Sequence, residues 1–311
     1  MQPIPYIDFS LYQLFLMFCF WSFIGWCIEV VDMTYETGEY QNRGFLNMPI
    51  CPIEGFGMIM VTVFFRPIEN TFFPLFFAST ALCTAFELFV GWGMEKLFHA
   101  RWWDYSHMKF NYKGYICLRN SLFFGFGCVL CLRVVTPLLV KAINSLPIKI
   151  GMGIVIIMAV LIAVDTVSSF AAAFNLTKRI RRLDEISRLL LALSVKTGKK
   201  LAAGTLKVKS NVENVSEKAR DVKENITEKV QDINESGSAR LEQLQSEFER
   251  LLSERDEAAD RLLTAFPRMK AGKYTESLEL LRSKLPGRHR KCALPELTEE
   301  ESKKSDCKQE T

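Results

Sequence analysis

The chain has 311 residues and a net charge of +4, and this charge is unevenly distributed. Residues 1–174 contain 22 of the 24 Phe but only 10 of the 39 Lys and Arg, and the rest of the chain carries a net charge of +5. This division argues against a single soluble globular domain and predicts a membrane domain followed by a soluble one. The nine Cys have no framework spacing, so a disulfide-stabilised domain is not indicated.

Five apolar segments follow one another in the first half, and we interpret each as a membrane-crossing helix. An apolar helix of about 20 residues crosses roughly 30 Å of hydrocarbon. In chain order the segments are 11–31, 53–65, 72–93, 121–140 and 148–174. The second is short and starts within a stretch rich in Pro and Gly, so we expect a broken or re-entrant start. The predicted fold is all-α, a polytopic membrane domain with about five transmembrane helices and a helical, coiled-coil soluble tail.

Two polar loops interrupt the apolar segments. The first, residues 42–57, contains Arg43, three Gly and two Pro. The second, residues 101–121, opens with Arg-Trp-Trp-Asp-Tyr-Ser and closes with Cys-Leu-Arg-Asn-Ser. Five crossings place both loops on the same side of the membrane. We therefore predict that they form one functional surface at the membrane edge.

Four acidic residues lie in or just beyond the apolar segments, where charge is costly and usually marks a pathway or a buried pair. They are Glu29, Glu87, Glu95 and Asp165. Two interpretations stay open: the acids pin the loops through Arg pairs, or they line a polar cavity that binds a ligand. The candidate substrate-binding residues are Glu29, Asn42, Arg43, Glu87, Glu95, Arg101, Asp104, Tyr105, Arg119 and Asp165.

Plainer roles compete for several of these side chains. Trp102 and Trp103 are typical of an aromatic belt at the membrane interface. Residues 104–106 favour a turn or a helix cap over catalysis. Cys128 and Cys131 are more typical of small packing residues than of a redox or metal site. We predict no catalytic residue, no metal ligand and no cofactor in this chain.

The soluble half begins with a basic juxtamembrane helix. We divide the chain into a transmembrane domain (1–175), this helix with a Gly- and Lys-rich break (176–204), amphipathic or coiled-coil helices (205–285) and a charged, disordered tail (286–311). Apolar residues at heptad-like spacing predict two helices of about 25 residues, separated near residues 234–238. Arg255 occupies a position in the apolar stripe of the second helix. A coiled-coil partner for residues 205–266 is expected.

Other functions find no support in the chain. Neither Gly-rich stretch has the spacing of a P-loop, so no ATPase site is predicted. The three His residues show no metal-binding pattern, and no Ser–His nucleophile spacing is evident. Basic residues of the tail alternate with acids and lack aromatic neighbours, so no nucleic-acid partner is expected. We do not expect an enzyme.

The positions of Lys and Arg predict an orientation. Cytoplasmic loops carry an excess of these residues. With five crossings, both polar loops and the basic start of the tail fall on the side with this excess. We therefore expect the N-terminus outside, the C-terminus in the cytoplasm, and anionic lipids beside the juxtamembrane helix.

The membrane half resembles a known family over about residues 10–175. The motifs that carry the resemblance are Gly25-Trp26-x-x-Glu29, Asn42-Arg-Gly-Phe-Leu46, Pro49-x-x-Pro52-Ile53-x-Gly55-x-Gly57, Arg101-Trp-Trp-Asp-Tyr-Ser106 and Gly114-Tyr-Ile-Cys-Leu118. Together they are similar to the type IV (CmpB-like) ABC-transporter membrane proteins of Firmicutes and related bacteria. The chain departs from that pattern at Met48, Glu54 and Phe124, where the family favours Gly, Tyr and Trp.

The resemblance implies a permease subunit of an ABC transporter in the bacterial inner membrane. Such a subunit needs a separate ATPase and is expected to form a homodimer, since five crossings make half of a pathway. Two other functions stay open. One is an integral membrane enzyme or lipid-binding protein of envelope metabolism, and the other is a membrane-anchored coiled-coil scaffold.

Overall fold

The computed structural model describes residues 9–38, 40–212, 240–254 and 256–285. Contacts divide the chain into two compact units. The first contains residues 1–179 and 255–275, and the second contains residues 180–254 and 276–311. The predicted break at 234–238, the position of Arg255 in the apolar stripe and the charged tail from residue 286 all lie outside the described residues.

The predicted helical membrane fold is confirmed in the first unit. The helices there are α1 (Leu11–Thr37), α2 (Pro52–Phe64), α3 (Phe72–Phe98), α4 (Leu118–Leu130) and α5 (Thr136–Ser145), followed by α6 (Ile148–Val212), which continues beyond this unit. Four stretches of the described chain are long and apolar enough to cross a membrane: Leu11–Tyr35, Phe72–Phe98, Leu118–Ser145 and Ile148–Val195.

Local sequence signals set the bounds of α1. The Ser10 side chain accepts a hydrogen bond from the Gln13 amide, and the Gln13 side chain accepts one from the Ser10 amide, which makes a capping box. At the other end Gly38 takes a left-handed conformation (φ 74°), and its N–H donates to the Thr34 carbonyl.

A π turn over Cys131–Val135 joins α4 to α5. Pro137 follows directly in the first turn of α5. A proline ring clashes with the carbonyl four residues earlier, here that of Arg133, and it offers no N–H. The wider π turn accommodates this misfit, so α4 and α5 form one continuous crossing.

The second apolar segment consists of an extended stretch followed by α2. With 13 residues, α2 is only about 20 Å long. The Cys51 amide donates to the Ser22 carbonyl at 2.8 Å, so α2 starts beside the middle of α1. The Arg66 guanidinium lies 5.4 Å from the Phe9 ring centroid, so α2 ends beside the start of α1. Residues 42–51 before α2 are irregular, whereas α2 is regular from its first turn because Pro52 occupies a position where no N–H is needed. A re-entrant start stays a prediction.

Contacts between helix ends define two ends of the first unit. At one end, the Phe9 end, Gln13 Nε2 donates to Asn144 Oδ1 at 2.8 Å, which places the end of α5 beside the start of α1. At the other, the Trp102 end, the Phe98 and Phe174 rings lie 4.8 Å apart and join α3 to α6. The chain therefore passes five times between these ends.

A short β-hairpin lies within the second polar loop, and the sequence analysis does not predict it. Strand β1 (Asn111–Tyr112) pairs antiparallel with β2 (Ile116–Cys117). Gly114 forms the turn with φ +75°, and a Cβ there would collide with Asp104 Oδ1. Glycine is the residue that tolerates both conditions.

Three further helices follow: α7 over residues 240–253, α8 (Glu257–Ala265) and α9 (Thr275–Ser283). The second predicted helix of about 25 residues, which includes Arg255, is instead two shorter helices, because the Asp256 side chain accepts the amides of Ala258 and Ala259 and starts a new helix. The break predicted at 196–204 is also wrong, since α6 continues through it. Each Gly costs only about 1 kcal/mol among good helix formers. Helix α9 lies within residues 205–285, the range for which amphipathic helices are predicted.

Three apolar side chains of α6 are buried in the second unit. Ile180, Leu183 and Ile186 on α6 are at most 1% exposed. Their spacing of three residues places them on one helix face. On the same helix the Arg182 guanidinium binds both carboxylate oxygens of Glu247 on α7, at 3.0 and 3.2 Å. Whether these helices pair with another chain stays a prediction.

Replacing Gly55 with Ala should destabilise the membrane unit. A Cβ at Gly55 would collide with Ser22 Oγ and lie 2.9 Å from Phe18 Cδ2, so α1 and α2 would have to separate. We expect a loss of about 1–3 kcal/mol, which is typical of overpacking. The measurement is unfolding in detergent. Gly57→Ala is the matched control, because a Cβ at Gly57 meets nothing within 4 Å. Equal effects of the two changes would contradict this packing.

Candidate functional site

A cavity of about 1260 Å³ lies between α1, α2, α3 and α6. It is larger than most small-molecule sites, which enclose roughly 300–1,000 Å³. Most of its lining is apolar, with Phe15, Phe18 and Phe86 among the residues. Trp102, Trp103 and Phe266 line it as well. This space can hold a molecule with a large apolar body.

Polar side chains gather in one part of the lining. They include Glu29, Arg43, Glu54, Glu87 and Tyr105. Arg43 Nε lies 3.1 Å from Glu29 Oε2, so these two charges form a pair. Among the described residues, no ion pair joins Glu54 or Glu87 to a Lys or Arg side chain. The cavity therefore has more acidic groups than cations.

Glu87 is the most unusual member of this group. It is 7% exposed, and its Oε2 has no hydrogen-bond partner in the described part of the chain. Tyr105 comes from the second polar loop toward it. Burial raises the pKa of Tyr105 well above its usual value, and the negative charges of Glu87 and Glu29 raise it further. The Tyr105 hydroxyl thus stays protonated and can donate a hydrogen bond.

The structure brings together four of the ten candidate residues. Glu29, Arg43, Glu87 and Tyr105 line the cavity. The other six lie outside its lining. They are Asn42, Glu95, Arg101, Asp104, Arg119 and Asp165. Of these, Asn42 Oδ1 accepts a hydrogen bond from Trp26 Nε1 at 2.7 Å, and Arg119 is exposed.

Asp165 and Arg261 hold the backbone of the first polar loop from two sides. The Asp165 carboxylate accepts the amides of Asn47 and Met48 at 3.0 and 2.7 Å. The Arg261 guanidinium donates to the carbonyls of residues 44, 45 and 46, each at 2.9 Å. An irregular segment away from water needs such partners for its N–H and C=O groups. Asp165 therefore has a structural role here.

A second ionic cluster fixes the other loop. Asp104 is 5% exposed, and its carboxylate lies 2.5 Å from Lys270 Nζ and 3.6 Å from Arg101 Nη1. Arg101 also binds Glu95 at 2.9 Å, and its backbone exchanges hydrogen bonds with Lys270. Asp104 Oδ1 accepts the Ser106 amide and hydroxyl, so the predicted turn role of Asp104 is confirmed.

Trp102 is not at a lipid interface, so that part of the aromatic-belt interpretation is wrong. It is 2% exposed, and its ring lies 5.2, 5.4 and 5.1 Å from the rings of Phe45, Phe98 and Phe266. The reason is that the segment with α8 and Phe266 covers it. This aromatic cluster forms the wall of the cavity at the Trp102 end.

The Cys128 thiol packs with other sulfur atoms of the core. Its Sγ lies 3.7 Å from Cys83 Sγ and 3.8 Å from Met58 Sδ, as expected for a packing residue. Cys131 lies in the π turn. The described residues contain no group of three or more His, Cys, Asp or Glu side chains that could hold a metal ion.

Sequence reasoning missed four residues of this site: Glu54, Arg261, Phe266 and Lys270. Glu54 could have been predicted as a site residue, because it is a carboxylate within an apolar segment like Glu87 and Asp165. The other three lie in a polar tail, more than 200 positions beyond the first loop in the case of Arg261. No local pattern indicates that this tail returns to the membrane unit.

Removing either partner of the first loop should destabilise the same part of the molecule. We expect Arg261→Ala to cost about 2–3 kcal/mol, because three carbonyl groups lose a charged donor. Asp165→Asn should cost a similar amount. The double variant should lose less than the sum by at least about 0.5 kcal/mol, because the loop is already released.

The measurement is unfolding in detergent across the four-protein cycle. Arg188→Ala, at a side chain that is 61% exposed, is the control for loss of an arginine. Strict additivity of the two changes would show that Asp165 and Arg261 act on separate parts of the structure.

The ion pair of Asp104 should stabilise the protein in a pH-dependent way. Burial opposes ionisation of Asp104, but the hydrogen bonds from Lys270 and Ser106 outweigh it and lower the pKa of the carboxyl group. Its contribution is therefore complete above the usual carboxyl pKa of about 4 and is lost as the pH falls through the lowered value. The stability difference between wild type and Asp104→Asn should be large at pH 7 and shrink below about pH 4. A difference that stays constant with pH would contradict this assignment.

Comparison with known proteins places this site in a family context. Residues 16–170 match the family model described as "Putative ABC-transporter type IV". No curated protein and no solved structure shows a significant match to the chain. The matched residues include the first polar loop, the second polar loop and every acidic residue of the cavity, but not the α8 segment. With its four long apolar helices the chain is a multi-pass membrane protein, and it belongs to the Putative ABC-transporter type IV family.

Proposed function

We propose that the chain is the permease subunit of an ABC transporter in the bacterial inner membrane and that its cavity holds the transported molecule. The observation that carries this proposal is the large apolar cavity with the buried carboxyl group of Glu87, which has no cationic partner and whose Oε2 accepts no hydrogen bond in the described chain. Buried charge among membrane helices is costly and is usually retained for a pathway or a ligand.

The alternative that the acidic residues only hold the loops in place accounts for the other acids but not for Glu87. Glu29, Glu95, Asp104 and Asp165 each bind an arginine, a lysine or a loop backbone. These contacts explain why the acids are present without any ligand. Glu87 is paired with no Lys or Arg among the described residues; Tyr105 is its polar neighbour, and its Oε2 lines the cavity without a hydrogen-bond partner. A role in ligand binding explains it best.

Charge distribution supports a cytoplasmic Trp102 end. Arg43, Lys96, Arg101, Lys109, Lys113 and Arg119 all belong to the loops at that end. The turns at the Phe9 end have fewer basic residues, with Arg66, Lys141 and Lys149. By the positive-inside rule the C-terminus is then cytoplasmic and the N-terminus is outside.

This orientation gives a separate ATPase access to the Trp102 end. A transport cycle driven by ATP needs such a partner, since the sequence has no P-loop of its own. The segment of α8 and the residues up to Lys270 contacts both polar loops: Arg261 binds the first and Lys270 binds the second. Movement of this segment would therefore be transmitted to the cavity wall at Phe266. A second copy of the chain would complete the pathway.

A mild-detergent pull-down from the native membrane tests this proposal. We expect a nucleotide-binding subunit in near-equal amount by mass spectrometry. Arg119→Glu, an exposed change at the Trp102 end, should reduce its recovery severalfold by charge repulsion with an acidic partner surface. Lys141→Glu, equally exposed at the Phe9 end, should leave it unchanged.

Two results would contradict the proposal. One is recovery of only copies of the chain itself or of envelope enzymes. The other is an equal loss of the ATPase from both charge-reversal variants, which would place its binding surface elsewhere.

A further inference from the structure

We propose that the cavity binds an amphiphile with an ammonium head group, held by Glu87 and Glu54, and with an apolar body among the phenylalanines. This inference rests on the proposed function, because it names the class of molecule that the same cavity takes. It depends on three observations: the excess of acidic over basic residues in the lining, the oxygen of Glu87 that accepts no hydrogen bond, and the exposed apolar residues at the edge of the cavity.

The charge balance of the lining favours a cation. Its acidic residues are Glu29, Glu54 and Glu87, and its basic residue is Arg43. Arg43 is already bound to Glu29 at 3.1 Å, so it does not offset the other two acids. The ionised form of a buried carboxyl group is strongly unfavourable unless a cation lies beside it. A ligand cation would stabilise the ionised form of Glu54 and Glu87 and be bound by it in turn.

The hydrogen-bonding requirement narrows the head group further. Glu87 Oε2 is an acceptor without a donor in the described part of the chain. A primary ammonium group has three donors and no acceptor, which matches carboxylate oxygens. A trimethylammonium group has the charge but no N–H, and an alcohol has a donor but no charge. A phosphate or carboxylate head would be repelled by Glu54 and Glu87.

The apolar lining continues to the outer surface of the helices. Leu11 and Phe56 line the cavity and are 74% and 55% exposed. In a multi-pass membrane protein such a surface faces the hydrocarbon core of the bilayer. A ligand can therefore enter sideways with its apolar body in the lipid. The ammonium group could belong to an aminolipid of the bilayer or to a soluble alkylamine that partitions into it.

Photolabelling with matched probes tests the head group. The full-length protein is placed in lipid nanodiscs and exposed to dodecylamine, dodecanol and dodecanoate, each with a diazirine in the chain. Cross-links are mapped by mass spectrometry. Labelling of cavity residues such as Phe18 and Met152 is divided by labelling of Phe126, which is 61% exposed and outside the lining, to correct for partitioning.

We expect the amine to label the cavity about tenfold more than the alcohol, since a charged hydrogen bond is worth a factor of this size. The acid should label it least. Glu87→Gln should lower labelling by the amine nearly to the level of labelling by the alcohol. Glu54→Gln should reduce the preference for the amine in part. The control is Glu69→Gln, because Glu69 binds Arg66 in the turn after α2 and lies outside the cavity.

A second pair of variants tests the location. Ala159 lines the cavity, so Ala159→Trp should block labelling by all three probes. Val160 is 56% exposed and not part of the lining, so Val160→Trp should leave labelling unchanged. Unchanged labelling of Phe126 in each variant shows that the protein is intact.

The outcomes separate this inference from the proposed function. Equal labelling by amine and alcohol, or an amine preference that survives Glu87→Gln, would overturn the ammonium assignment and leave an apolar transport cavity. No cavity labelling by any probe would overturn both. Cross-links that join two copies through this face would show that a second chain covers the mouth, and they would also overturn the inference.

The source of the ammonium group is determined by native mass spectrometry of the protein from its own membrane. A bound aminolipid that Glu87→Gln removes would identify the bilayer as the source. If the wild type carries no lipid but binds added dodecylamine in a Glu87-dependent way, the source is a soluble amine.

Discussion

The need to satisfy backbone groups within the membrane unit governs this structure. The second crossing begins with an extended segment, which cannot satisfy its own N–H and C=O groups as a helix does. The Asp165 carboxylate accepts hydrogen bonds from the amides of this segment, and the Arg261 guanidinium donates to its carbonyl groups. These two side chains replace the backbone hydrogen bonds that a helix would make. Without these two side chains five backbone groups of the extended segment would lose these partners. The start of α2, the position of Phe45 and the wall of the cavity all follow from it.

This constraint separates two kinds of buried charge that look alike in the sequence. One kind completes the hydrogen bonding of irregular backbone, as at Asp165, or holds a loop to its neighbours, as at Asp104. The other kind, represented by Glu87, lies against open space and has an oxygen without a partner in the described chain. Distinguishing them requires distances, because both are carboxylates among apolar residues. Only the second kind has capacity left for a ligand.

The hydropathy of the chain predicted the membrane helices well, because length and apolar composition are local properties. The irregular backbone before α2 was also predictable, since Pro49 and Pro52 cannot lie inside a regular helix. The site was predicted only in part. Glu29, Arg43, Glu87 and Tyr105 line the cavity, but Arg101 and Asp104 face Lys270 instead. Arg261 and Lys270 could not be assigned, because an amphipathic tail helix shows which face is apolar but not which surface that face will cover. Trp102 was misplaced for the same reason.

The connection between Gly44 and Arg261 also has a consequence for how the protein is made. These residues are 217 positions apart, and translation adds about 5–20 residues per second, so roughly 10–40 s pass between their synthesis. During this time the first polar loop has been inserted without the arginine that will hold its carbonyls. The membrane unit thus matures only when the α8 segment has left the ribosome. A chain interrupted late in α6 would contain all the long apolar helices and still lack Arg261, so the carbonyl groups of its first polar loop would be without this donor.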